Sequence, residues 1–337
     1  MPERLQWPRD RVEALLAAMR SVATVDAPLG RVERGLIEGA RDHVFGLDMD
    51  IDDLPGVSPD ALAAALTDAD QRELAVQFLV LVPYADMSVD APEVARVDAY
   101  ATALGASPKS LSDLHHIRDH HIRRLALDYG RRSIGAFAGD GFGARSRAIV
   151  RSLHEYVGDA RTADRFAALA GYGSGTLGRT FYEFYRDRGF PLPGEKHSLG
   201  EYFVGHDSAH ILAGFNTDGA GELSVAGFEA GMIRDGFGFE MLMEVMLDFQ
   251  LGIEFGTELV GYAVKTGELD PDELMVGIQR GLGCDVDLIR GWDFWAAAGD
   301  PVVDLRVRYG IEGVDGVELD PPDEQRVDWR DEASPAG

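Results

Sequence analysis

A chain of 337 residues is long enough for two domains, and its 45% hydrophobic and 27% charged content is that of a folded globular protein, not of a disordered chain or a membrane bundle. Lys and Arg number 32 against 58 Asp and Glu, a net charge of −26 that repels phosphate backbones and anionic lipid surfaces, so no nucleic-acid partner is expected. The single cysteine, Cys284, permits neither an intramolecular disulfide nor a thiolate zinc cage, so any metal must take nitrogen and oxygen ligands.

The opening residues, MPERLQWPRDR, lack the apolar core of a secretory signal, and the longest apolar run, LAVQFLVLVPYA, is too short to cross a bilayer. A cytoplasmic location is therefore expected. Helix starts recur along the chain: Ser58-Pro59, Ser107-Pro108 and Asp270-Pro271 each set a capping residue before a proline suited to a first turn. Asp90 to Glu93, Ser198 to Glu201 and Asp270 to Glu273 have capping-box spacing. Apolar residues recur at three and four, and alternating runs are scarce, so an all-α fold is expected.

The first part carries an internal echo. SVATVDAPLGRVERGLIEGARDHVFG sets Asp26 seven residues before Glu33, and VPYADMSVDAPEVARVDAYATALG sets Asp86 seven before Glu93; each reads as helix, acidic turn, helix. This pattern resembles the TerB-like helical module named for tellurite resistance, over residues 1–110. The resemblance implies cation contact near Asp86 and Glu93, whereas the residues themselves read as helix caps and dipole partners, so no metal is assigned there.

Next comes SLSDLHHIRDHHIRRLALDYGRR, basic and histidine-rich, in which His116 and His120 share a helix face, as do His115 and Asp119. Without a flanking glycine turn to complete a shell, it reads as a solvated helical linker, residues 111–165, and the His115–His121 stretch receives no role. AGDGFGARSRA, 138–148, follows no strand and reads as a turn, not a phosphate cradle.

The densest chemistry lies in VGHDSAHILAGFNTDGAGELSVAG. A helix starting at the Ser198 box and stopping at Gly214 would put His206 and His210 one turn apart on one face, with Asp207 beside them and Phe203, Ile211 and Leu212 turned to a core. FNTDGAG is a turn, Asp218 a cap, and Glu222 a first-turn residue of a helix doubling back. Two neutral imidazoles and two carboxylates balance a divalent cation and suit Zn²⁺, Fe²⁺ or Mn²⁺; a hydrogen-bonded core histidine with two helix-end acids is the alternative.

From TLGRTFYEFY, with Leu177, Gly178, Tyr182 and Phe184, to PVVDLRVRYGI, the chain resembles the ubiquinone-biosynthesis Coq-four family, whose H-D-x-x-H-x₁₁-E signature is met by His206, Asp207, His210 and Glu222. Gly214, Gly221, Pro301, Leu305 and Arg306 fit the same pattern, while EYFVG stands where the family carries an arginine. The resemblance implies an all-helical domain over 166–312, a divalent metal, zinc first, held by those four side chains, and service in coenzyme Q assembly at a membrane face. His206 and His210 would be ligands; Asp207 and Glu222 would be ligands too, or one of them the base that orients a metal-bound water. The implied activity is metal-dependent decarboxylase or lyase chemistry on a prenylated aromatic ring. Implied partners are an isoprenoid or quinone-like lipid and proteins of a biosynthetic complex, with at most peripheral membrane contact. A homodimer belongs to the same set of expectations. The alternatives are a non-catalytic lipid-binding scaffold and a stress-response adaptor led by the TerB-like part.

Further on, Gly227 and Gly231 permit close helix approach, and Met232, Met241, Met243 and Met246 read as core packing or as a groove for a prenyl tail. Glu240, Glu244 and Asp248 recur at helical spacing and read as a solvated face. Residues 313–337 are acidic, bear prolines and read as a disordered tail.

Overall fold

The computed structural model describes residues 6–85, 89–119, 158–198, 200–252 and 266–314. In chain order its helices are α1 (Arg9–Ala23), α2 (Arg31–Gly39), α3 (Pro59–Ala65), α4 (Ala69–Leu81), α5 (Ala91–Leu104), α6 (Lys109–Arg118), α7 (Ala160–Ala167), α8 (Leu177–Asp187), α9 (Val204–Ala213), α10 (Gly219–Met232), α11 (Phe237–Phe249), α12 (Pro271–Gly283), α13 (Phe294–Ala297) and α14 (Val302–Tyr309). The fold is all-α: among the described residues extended pairing is confined to an isolated bridge between Thr176 and Pro301. No described helix is long and apolar enough to cross a membrane. The described residues divide into two compact units, one within 1–125 and 217–283, the other within 126–216 and 284–320.

In the first unit α1 turns Val12, Leu15, Leu16, Met19 and Val22 inward, and α4 adds Val76, Phe78, Leu79 and Val80. Punctuation follows side-chain chemistry. Ser58 Oγ accepts from the Ala61 N–H, and Asp270 Oδ1 accepts from the N–H groups of Asp272 and Glu273, with Pro59 and Pro271 in the first turns. At Ser107-Pro108 the proline itself stands at the cap and α6 starts at Lys109. In the first copy of the echo, Glu33 reaches back to the Gly30 N–H at 2.7 Å and so acts as a helix-start acid; Glu93 is buried in the first turn of α5, and Asp86 lies outside the described residues. His115 bonds Asp98 across the α5–α6 contact at 2.7 Å, while His120 and residues 138–148 lie outside the described residues.

The tightest packing in this unit is α10 on α12. A Cβ at Gly231 would fall 2.4 Å from the Ile278 carbonyl oxygen, and one at Gly281 would fall 1.9 Å from that of Phe228, so each helix offers glycines to the other's backbone. The close approach expected at Gly227 and Gly231 is therefore built with Gly277 and Gly281 as partners. Met232, Met241, Met243 and Met246 are all buried as core. The solvated face expected at Glu240, Glu244 and Asp248 needs correction: Asp248 is only 9% exposed, and burial, then the charges of Asp248 and of Asp113 on α6, push the Glu244 carboxyl up to about 9. Helical spacing had located the acids but not the facing helix.

The second unit is built on aromatic rings. Phe166 of α7, Phe181 of α8 and Phe294 of α13 lie 5.0 to 6.0 Å apart between centroids, with the Trp295 ring edge-on to Phe166 at 4.9 Å. Asp159, Thr176 and Asp293 cap α7, α8 and α13 through their side-chain oxygens, contributing about 1 kcal/mol each. The entry to α9 departs from the capping box expected at Ser198. Gly200 takes a left-handed φ of 78°, a 3-10 turn spans Glu201–Phe203, the Ser198 hydroxyl accepts from the Gly194 N–H, and the α-helix begins only at Val204. Phe203, expected in the core, is 40% exposed.

Candidate metal centre

Helix α9 carries the site, and three devices fix it within its unit. At its start Gly205 lies against the Leu288 carbonyl oxygen, where a Cβ would come within 2.3 Å. At its end Arg306 of α14 donates from Nε to the Leu212 carbonyl at 2.9 Å and from Nη2 to that of Ile211 at 2.8 Å, satisfying last-turn acceptors with a cation where the helix dipole is negative. The helix then closes on Gly214, whose φ of 77° turns the chain so that the N–H groups of Gly214 and Phe215 both reach the His210 carbonyl.

That turn also settles the chemistry of His210. The Phe215 carbonyl, which can only accept, lies 3.1 Å from His210 Nδ1, so Nδ1 is the donor of that bond and Nε2 is turned toward His206. His210 is 1% exposed, with the Phe184 ring of α8 5.9 Å from its own. His206, one turn earlier and half-buried, brings its Nε2 to 3.2 Å from His210 Nε2, the rings standing at 89°. Two nitrogens bound tetrahedrally to one zinc ion at about 2.0–2.1 Å stand about 3.3 Å apart, so the pair has the separation a shared ion requires.

Asp207 points elsewhere: its carboxylate accepts the hydroxyl hydrogen bond of Tyr185. Tyr185 is 6% exposed on α8 and stacks on Phe181 at 4.7 Å. Glu222 stands half-buried in the first turn of α10, which Asp218 caps by accepting from the Gly221 N–H at 2.9 Å, the cap and position expected from the sequence. His206, His210 and Glu222 belong to one helix–turn–helix, 204–232, and offer ligand atoms that all lie within 4.8 Å of one another, a cluster that could hold a metal ion. Asp207 is not among them.

Sequence reasoning reached both histidines and Glu222 but missed the Tyr185 phenol and the Phe215 carbonyl. The first had a signal: Phe181, Phe184 and Tyr185 fall at the i, i+3, i+4 spacing of one buried helix face. A backbone carbonyl leaves no such mark.

No protein-family model matches the chain, and no curated protein matches it. Among solved structures, a crystal structure of a Nostoc punctiforme protein provisionally named for ubiquinone biosynthesis aligns over 72% of this chain and 99% of its own, at 17% identity and a TM-score of 0.29. At that score the two backbones agree too poorly for the likeness to support any statement about this chain.

Proposed function

We propose that this protein binds a divalent metal ion through His206, His210 and Glu222, zinc being the first candidate and Fe²⁺ or Mn²⁺ the alternatives. The observation that carries the reading is the imidazole pair. With His210 Nδ1 donating to the Phe215 carbonyl, the two Nε2 atoms meet at 3.2 Å, and a shared cation would take the place of the hydrogen between them at the separation two ligands of one ion have. Glu222 adds an anionic oxygen, giving the mixed donor set such ions accept.

The rest of the proposal leans on the H-D-x-x-H-x₁₁-E spacing and its flanks. It assigns the site to an oxygen-bearing ring of an isoprenoid quinone precursor, with removal of a ring carboxylate as the first reaction to assay. When bound, the ion supplies Lewis acidity to a carboxylate or phenolic oxygen. His206 and His210 hold it, and the buried Phe184 beside His210 keeps water from one side of the pair.

The experiment is equilibrium dialysis against Zn²⁺, Fe²⁺ and Mn²⁺ in turn, then elemental analysis, together with mass spectrometry of lipid extracted from the purified protein. Near-stoichiometric retention of one of these ions, with a prenylated aromatic in the extract, supports both halves. Retention of none by a folded chain removes the metal reading; an extract without prenylated aromatics removes the substrate.

A further inference from the structure

Asp207 adjoins a metal-binding histidine in the sequence, and a carboxylate in that place has two fates. It can join the ion's ligand set, or it can be held off it. Residue 207 lies about 100° round the helix from His206, close enough for a flexible carboxylate to swing toward a shared ion. In this structure it accepts a hydrogen bond from the hydroxyl of Tyr185. The phenol is itself immobilised: Tyr185 is 6% exposed, stacked on Phe181 at 4.7 Å and 28°, and edge-on to Phe190 at 6.1 Å. Helix α8 therefore touches successive features of α9, Phe184 against His210 and Tyr185 against Asp207.

We infer that Tyr185 is a positioning residue that keeps Asp207 out of the metal's ligand set, leaving the ion three protein ligands and an open place for an exogenous oxygen ligand. Three protein ligands with one open position is the arrangement of sites that do chemistry, whereas four close a structural site. The inference rests on the metal reading proposed above and goes past it, because it names which of two carboxylates binds and why the other does not. It also makes the class of ligand specific: a bidentate oxygen donor such as a hydroxamate, or a ring carrying a carboxylate beside a hydroxyl.

The test replaces the native ion by Co²⁺ in the full chain and follows its d–d absorption, which is stronger for four-coordinate than for five- or six-coordinate cobalt. Four proteins are compared after circular dichroism establishes that each is folded: the wild type, Asp207→Asn, Tyr185→Phe and the double variant. The expected result is that Asp207→Asn holds cobalt stoichiometrically with unchanged bands, and that acetohydroxamate perturbs both it and the wild type. Tyr185→Phe frees the carboxylate to displace solvent from the open place, so its bands shift away from the wild-type positions and acetohydroxamate binds at least several-fold less tightly. Adding Asp207→Asn to Tyr185→Phe restores the wild-type spectrum, a rescue that mere loosening of the fold does not produce.

Loss of cobalt or altered bands in a folded Asp207→Asn makes Asp207 a ligand and overturns the inference while leaving the metal reading intact. Tyr185→Phe with wild-type bands and wild-type hydroxamate affinity overturns the positioning role. A wild-type chain that takes up no cobalt overturns the metal reading and this inference with it.

Discussion

Helices α9 and α11 each place two ionisable side chains one turn apart on a single face, His206 with His210 and Glu244 with Asp248, yet their surroundings direct them to opposite chemistry. On α9 a carbonyl outside the helix accepts a hydrogen bond from His210 Nδ1 and leaves its Nε2 turned toward His206. On α11 two carboxylates meet a third, Asp113 of α6, in a buried setting, and Glu244 answers by keeping its proton. Spacing of four brings the two side chains together; what the neighbouring elements donate or withdraw decides whether the pair is suited to a cation or to a proton.

The largest break in this contrast is His210→Ala. It removes one of the two convergent nitrogens, and metal retention should fall by more than the roughly 10–100-fold that follows loss of a supporting hydrogen bond, as read by competition with a chromogenic chelator. Retention at the wild-type level would mean that the imidazole pair is only a core hydrogen bond.

Glu244→Gln probes the other pair through pH. The folded-state value of about 9 lies above the ordinary 4.5, so Glu244 contributes stability that is complete below about pH 4.5 and is lost as pH rises toward 9. Denaturant unfolding of the wild type should therefore weaken across that window, and the variant should flatten the slope and be the more stable protein at pH 9. Each kcal/mol recovered moves the melting midpoint by roughly 2–4 °C. Parallel pH profiles for the two proteins would place Glu244 in solvent.

Smaller effects come from the devices that aim the imidazoles. Gly214→Val asks a branched side chain to hold a φ of 77°, and the displaced Phe215 carbonyl then no longer fixes the His210 tautomer. Metal affinity should drop roughly 10–100-fold in titration calorimetry while helix content persists. Arg306→Ala frees the Ile211 and Leu212 carbonyls and should cost about 1.5 kcal/mol in chemical denaturation, with a smaller loss of affinity.

Much of this arrangement was legible in the sequence because local rules wrote it. The stop at Gly214, the Asp218 cap, the first-turn place of Glu222 and the shared face of His206 and His210 each depend on residues no more than a few positions apart. What escaped depends on partners remote in the chain. Asp248 is buried because α6 packs on α11, more than a hundred residues away, and Asp207 is engaged because α8 presents a phenol. The late start of α9 was hidden for a different reason: Ser198 and Glu201 have the spacing of a capping box, but Gly200 between them takes a left-handed conformation that unwinds the would-be first turn. Arg306 sits between these cases, visible as part of a motif and explained only when its guanidinium is found on the carbonyls that end α9.

X-ray absorption at the zinc edge of the zinc-loaded chain tests the shared-ion geometry most directly. The account predicts two imidazole nitrogens at about 2.0–2.1 Å from the metal, with oxygen filling the remaining places and the imidazole outer-shell signal gone in the His206→Ala, His210→Ala double variant. A first shell of oxygen alone, or an imidazole signal that survives the double substitution, would contradict it.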